Sequence, residues 1–348
     1  MARQPVRVGM IGAGSICDYH LTGLQAAGAE ITAIFSRTEA NACQKAQQFG
    51  IPSYTTDYRE LLDREDVDAV VIASPDFTHE EIAVAAATAQ KAILLQKPMA
   101  RNSAECSRII QAAEQAGVPL YVSYMHRYFD EVVKLRELLA EAVLGQVYSI
   151  RQRNATPGAA WAAWFYSKDK VGGGVVLQLG VHGIDLLRVL FGEIEAVKAT
   201  MSLMKQERIL ADGTRVVPDN EDTALALYRF ASGAIATHEM AYNEVAGTDR
   251  FRLEIYGEQG AAWLRTERGA LSVYAPAYVG RSEWFEPLIP ATPFGWRQHR
   301  HFLAMLCGEE APDSSAHDGL AAIQVAEAIY RSVASGDWEP VGRAESRA

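Results

Sequence analysis

Residues 6–20 read VRVGMIGAGSICDYH, and this stretch decides the first half of the fold. Val6–Ile11 is a short apolar run of strand character, glycines follow at once, and a helical pattern opens after them through Asp18–Ala27. Gly12, Gly14 and Cys17 fall on the three positions of a G-x-G-x-x-G loop. The first glycine of such a loop permits a tight turn, and the second lets the backbone approach a pyrophosphate. Free N–H groups at the helix N-terminus then offer partial positive charge to that anion. The third position serves helix–strand packing, for which Cys17 is small enough. The stretch predicts a dinucleotide-binding turn in which Gly12, Gly14, Ser15 and Ile16 lie against the cofactor.

Working outward, a strand at Glu30–Ser36 completes a βαβ unit. Further strands are expected at Ala69–Ser74, Ala92–Gln96 and Leu120–Tyr124, separated by helices at Thr78–Ala89 and Ser103–Ala116. The second helix opens with a capping-box pattern of Asn102 and Glu105. This alternation predicts a doubly wound parallel sheet, a Rossmann domain over residues 1–124.

After about residue 125 the rhythm changes. A helix at Asp130–Ala142, a strand near Gln146–Asn154 and a long apolar helix from Gly174 to Leu190 are followed by strand upon strand: Glu195–Lys205, Thr223–Phe230, Ile235–Asn243, Phe251–Tyr256, Ala262–Thr266 and Leu271–Tyr274. Turns such as Ser232-Gly233 and Arg268-Gly269 suit an antiparallel meander. Helices at Arg297–Cys307 and Gly319–Ser335 close the chain. Residues 125–348 are therefore expected to form one α+β domain on an open, mainly antiparallel sheet.

The 348 residues are 49% hydrophobic and 22% charged with a net charge of −10, an ordinary globular composition without the basic footprint that nucleic acid or an anionic membrane attracts. A small-molecule partner is the expectation. Cys17, Cys43, Cys106 and Cys307 form no CxxC pair, which argues against structural zinc or a disulfide framework and fits a reducing compartment. The N-terminus lacks the regions of a signal peptide, and no run approaches the roughly 18–20 uninterrupted apolar residues of a membrane span. A cytoplasmic location is expected.

An NAD-specific domain of this kind carries an acid at the end of the second strand, for the ribose 2′-hydroxyl. Here the strand ends in Ser36-Arg37. A hydroxyl and a guanidinium both donate to a 2′-phosphate, so the sequence leans towards NADP, with NAD left open.

The chain also contains ASPDFTH (73–79), LLQKPMA (94–100), GGGVVLQLGVHGIDLLRVLFG (172–192) and EDTALALYRFASGAIA (221–236). With the glycine loop, these motifs resemble the glucose–fructose oxidoreductase / inositol dehydrogenase / MocA family over residues 6–335. The resemblance implies a Rossmann domain plus an open-sheet domain whose exposed face makes homodimers or homotetramers. It also implies oxidation of a sugar or cyclic polyol by a nicotinamide cofactor.

Carried over by position, Lys97 matches the lysine of the family's EKP motif, which meets the reacting hydroxyl. Desolvation and a cationic ring nearby would depress its pKa and let it accept the alcohol proton. His182 matches the histidine used with that lysine as acid/base or orienting group. Gln178, His182 and Asp185 are spaced four and three apart, so they could share one helical face. That set holds too few good ligands to suggest a metal.

Two departures stand out: Gln96 and Gln178 occupy positions where the family carries carboxylates. An amide can hydrogen-bond a ribose or substrate hydroxyl, yet it cannot hold charge or accept a proton at neutral pH. By the same resemblance Ala73, Ser74, Pro75, His79 and Gln96 are expected beside the cofactor. Arg127, Asn154, Trp164, Phe165 and Asn243 join Gln178, His182 and Asp185 as candidates for the substrate. A cofactor-binding regulator without turnover and a nicotinamide-dependent glycosidase are the alternatives.

Overall fold

The computed structural model describes residues 4–245, 251–265 and 268–342, which divide into two compact units. In the first, the chain runs through β1 (Arg7–Ile11), α1 (Ser15–Ala26), β2 (Glu30–Phe35), α2 (Glu39–Phe49), β3 (Ser53–Thr55), α3 (Tyr58–Leu62), β4 (Ala69–Ile72), α4 (His79–Thr88), β5 (Ala92–Gln96), α5 (Ser103–Ala116) and β6 (Leu120–Ser123). The strands form one parallel sheet in the order β3-β2-β1-β4-β5-β6. Every residue of β4 (AVVI) and β5 (AILLQ) is buried, as expected of strands covered on both faces. Helix α1 starts at Ser15, three residues earlier than its apolar pattern suggests, because Gly14 is its N-cap. At the start of α5 the Asn102 side chain accepts from the Glu105 N–H at 2.9 Å, while the Glu105 carboxylate turns to the Arg101 N–H at 3.0 Å. Only half of the expected capping box forms.

The second unit holds α6 (Asp130–Ala140), β7 (Val147–Ala155), α7 (Lys168–Val171), a π-helical segment Val176–Gly180, α8 (Val181–Phe191), β8 (Ile194–Ser202), the small hairpin β9 (Arg208–Ile209) and β10 (Arg215–Val216), β11 (Thr223–Phe230), β12 (Ile235–Ala241), β13 (Phe251–Gly257), β14 (Ala261–Leu264), β15 (Leu271–Tyr274), α9 (Pro276–Val279) and β16 (Trp284–Phe285). Then follow α10 (Trp296–Leu306), α11 (Ala316–Ser335) and β17 (Glu339–Pro340). A mixed sheet of order β16-β15-β14-β13-β7-β12-β11-β8-β17 forms its body. All of its pairings are antiparallel except β12 with β7. Burial alternates residue by residue along β11 and β12, so one face is core and the other open. The expected end of one strand at Thr266 lies outside the described residues.

The division differs from the two consecutive segments, 1–124 and 125–348, that the sequence suggests. Residues 292–320 return to the first unit. Phe302 and Leu303 of α10 join Leu21 and Leu24 of α1 in its core, and the Val122 N–H of β6 donates to the Ser314 carbonyl at 3.1 Å. The returning chain thus covers an edge strand and the outer side of α1, surfaces that would otherwise stand open. A linear apolar pattern does not mark which core a late helix will join.

The expected long helix begins as a π turn before continuing as α8. Residues 168–191 are long and apolar enough to cross a membrane by composition, at a mean hydropathy of 1.5, but 83% of the most apolar window is buried inside the protein. Glycine lets this segment approach its neighbours: a Cβ on Gly174 would lie 1.8 Å from the Glu221 carbonyl oxygen. Gly174→Ala should therefore lower stability by about 1–3 kcal/mol, the range for overpacking, seen as a lower urea midpoint at unchanged m-value.

Candidate active site

At the C-terminal end of the parallel strands, the glycine loop is built by close backbone approach. Gly12 has φ +118°, and a Cβ there would lie 2.5 Å from the Ala73 carbonyl oxygen; its N–H donates to the Phe35 carbonyl at 3.0 Å. A side chain is excluded on both counts. At Gly14 the opposite holds, because a Cβ would meet no heavy atom within 4 Å. The residue before α1 thus faces open space, with the free N–H groups of a 12-residue helix behind it. That cradle suits a pyrophosphate. Cys17 is buried in the adjoining core, and desolvation pushes its thiol up to about 12, so it packs and does not react.

Ser74 and Pro75 follow β4, where the Ser74 and Thr78 hydroxyls lie 2.7 Å apart and the Thr78 hydroxyl donates to the Pro75 carbonyl at 2.7 Å. Lys97 follows β5 directly, half-buried, and is joined to Pro98 by a cis peptide bond. His79 was expected beside the cofactor, but it is 0% exposed. Its Nδ1 lies 3.0 Å from the Pro98 carbonyl oxygen and its Nε2 3.0 Å from that of Ser74. The ring therefore lies between the turn after β4 and the turn carrying Lys97, and with one N–H it donates to one of the two carbonyls. Ser36 ends buried after β2 while Arg37 is exposed.

In the second unit Gln178, His182 and Asp185 are all buried. Gln178 sits within the π segment and His182 at the start of α8, so the i, i+4 face assumed for a plain α-helix is widened at this point. Sequence reasoning gave no role to Glu221. Its carboxylate accepts from the Val176 N–H at 3.1 Å and from the Tyr330 hydroxyl at 2.8 Å, anchoring the segment that carries Gln178. Burial pushes the Glu221 carboxyl up from its ordinary range. A lone acid at a strand start carries no pattern that would have disclosed this.

Three expected substrate residues have partners within the fold, although the amide nitrogen of Asn154 is buried without one. Arg127 is 1% exposed; its guanidinium donates to the Asp313 carbonyl and lies 3.6 Å from the Asp318 carboxylate. Asn154 accepts from His238 at 2.8 Å and from Gln152 at 3.1 Å, beneath Gly183 of α8. His238 is held neutral there, burial lowering it to about 3. Asn243 donates to the Thr223 hydroxyl at 2.6 Å. Among the aromatics, Phe165 packs against a small cluster of Ala159, Tyr166 and Leu210, Trp164 meets Phe165 edge-on at 5.9 Å, and Trp161 is 65% exposed.

A parallel sheet in this strand order, with a glycine loop opening its first helix, defines a dinucleotide-binding enzyme domain. Residues 6–124 match the NAD-binding Rossmann-fold model of the GFO/IDH/MocA oxidoreductase family, and residues 132–263 match the C-terminal domain model of that family. The chain belongs to the GFO/IDH/MocA family, and it is an oxidoreductase that uses a nicotinamide cofactor.

It is 29% identical over 348 residues to levoglucosan dehydrogenase of Pseudarthrobacter phenanthrenivorans, with 87% of this chain and 88% of that protein covered. It is 30% identical over 267 residues to inositol 2-dehydrogenase of Acidothermus cellulolyticus, covering 76% and 74% of the two chains. Among solved structures, a levoglucosan dehydrogenase in complex with NADH and levoglucosan superposes with a TM-score of 0.89 at 25% identity, over 98% of this chain and 100% of the other.

If Arg127 is purely structural, Arg127→Met should cost about 1.5–3 kcal/mol, the scale of a hydrogen bond to a charged group, with KM of the folded enzyme unchanged. A raised KM at undiminished stability would instead return Arg127 to the substrate.

Proposed function

We propose that this protein is a dehydrogenase that transfers a hydride between a nicotinamide cofactor and an alcohol carbon of a sugar or polyol. The observation that carries the reading is the open cradle at Gly14, at the same sheet end where Lys97 directly follows β5. The relatives named for levoglucosan and inositol support the substrate class. When bound, the cofactor supplies the hydride acceptor or donor. The chain's own part is to hold the dinucleotide at Gly12, Gly14, Ser15 and Ile16, with Ala73, Ser74 and Pro75 against it, and to move a proton. Lys97 takes the hydroxyl proton in oxidation and returns it in reduction. His182 assists, while Gln178 and Asp185 orient substrate hydroxyls.

NADP is the favoured cofactor, since the strand end carries Ser36 and exposed Arg37 with an acid at neither position. The open face of the second unit's sheet carries exposed Leu225, Leu227 and Ile235, which favours pairing with further copies of the chain. Four free thiols fit the cytoplasm.

Purified protein offered aldoses, sugar lactones and inositols with either cofactor should reduce it, read as nicotinamide absorbance. Lys97→Met should keep cofactor affinity within a few-fold and lower turnover by at least ~100-fold, the low end for loss of a positioned acid/base group; undiminished turnover would remove Lys97 as the base. Arg37→Ala should weaken NADPH binding by about 10- to 100-fold, the equivalent of one hydrogen bond to a charged group, and leave NADH binding nearly unchanged. Equal losses for both would show that Arg37 does not read the phosphate.

A further inference from the structure

Within the first unit, two buried histidines stand behind the turn that carries Lys97. His299 of α10 places Nδ1 2.6 Å from the Gly295 carbonyl oxygen. A carbonyl only accepts, so this nitrogen carries the hydrogen. The pair is wedged against the backbone of α1, where a Cβ on Gly23 would lie 2.2 Å from that same Nδ1. His299 Nε2 lies 2.9 Å from Nδ1 of His20.

Both rings are fully buried. Desolvation lowers His299 to about 4, and desolvation together with the neighbouring His299 lowers His20 well below its ordinary value. Both imidazoles are therefore neutral at physiological pH. With its hydrogen on Nδ1, His299 offers a lone pair at Nε2, so His20 must donate from its own Nδ1. His20 is left with a lone pair at Nε2.

With Nδ1 engaged by His299, this nitrogen is the one left for the neighbouring side chain of Gln96. The other polar groups around it are already matched: Tyr19 donates to Gln298 at 2.6 Å and Gln298 donates to Ser123 at 2.7 Å. As placed, His20 Nε2 and Gln96 Oε1 are both buried without a hydrogen bond, two acceptors opposed. The oxygen and nitrogen of an amide are interchangeable in shape, and their placement follows from the hydrogen-bond network. Turning the amide over lets its N–H donate to His20 and turns the carbonyl oxygen away from the ring.

We propose that His299 and His20 form a one-directional relay that orients Gln96, so that its carbonyl oxygen accepts a hydrogen bond from a hydroxyl or amide N–H of the molecule bound beside Lys97. The outward contact rests on the reading of this turn as the cofactor and substrate site; the relay does not. The proposal also accounts for the amide at a position where a carboxylate is expected. A carboxylate has only lone pairs to set against His20 and would need an additional proton between them.

The test is histidine-labelled protein studied by long-range 1H–15N correlation. His20 and His299 should both be neutral with hydrogen on Nδ1 from pH 5.5 to 8; hydrogen on Nε2 of His20 overturns the relay, and this needs no variant and no activity. In Gln96→Glu the additional proton is held in the folded state and lost as pH rises, so the variant should be more destabilised relative to the parent at pH 8 than at pH 5. If Gln96 instead accepted from His20, the carboxylate would be the better acceptor and the difference would not widen. Gln96→Met, which lacks the outward acceptor, should weaken NADH or NADPH binding about 5-fold or more if the donor is the cofactor. If the donor is substrate, it should raise the KM of the sugar or polyol by a similar factor. Parent-like values of both, with the tautomers as expected, would remove the outward contact and leave the relay.

Discussion

The backbone contact between Gly12 and Ala73 is the constraint on which the first unit depends. One residue without a side chain bonds to the end of β2, lies against the end of β4, and turns the chain into α1. Because the turn is so tight, α1 begins immediately at Ser15, and its unsatisfied N–H groups face the sheet end where the other strand termini converge. Lys97 and Ser74 come to that same edge because β5 and β4 are parallel neighbours that both end there, and it is at this edge that sheets of this kind take their ligands.

Four of the buried histidines, His20, His79, His238 and His299, are engaged in contacts that hold elements together. His79 lies between two strand-end turns, His238 joins Tyr228 to Asn154 beneath α8, and His20 and His299 link α1 to α10. Burial keeps His238, His20 and His299 neutral. A neutral imidazole has one donor and one acceptor at fixed angles, so each ring imposes a direction on the network it joins.

The strands of the first unit and the glycine loop were legible because their residues interact with near neighbours in sequence. A buried parallel strand must be apolar along its length, and a cradle must have glycine where a Cβ cannot fit. Lys97 and His182 stood out through resemblance to the motifs of the family. The same reasoning assigned Arg127 and Asn154 to substrate, since a polar side chain at a strand end or junction looks available until its partners are known. Their partners are remote: the Asp313 carbonyl lies 186 positions from Arg127, and His238 lies 84 from Asn154.

By itself the sequence determined the doubly wound sheet, the change to an antiparallel sheet near residue 125 and the glycine turn before α1, all of them set by local pattern. Tertiary structure alone decided that residues 292–320 rejoin the first unit, that a π turn carries Gln178, and that Glu221, His79 and Arg127 are structural ties. An amphipathic helix shows the same face whichever core it meets, and a polar group is spent or available according to what long-range packing sets against it.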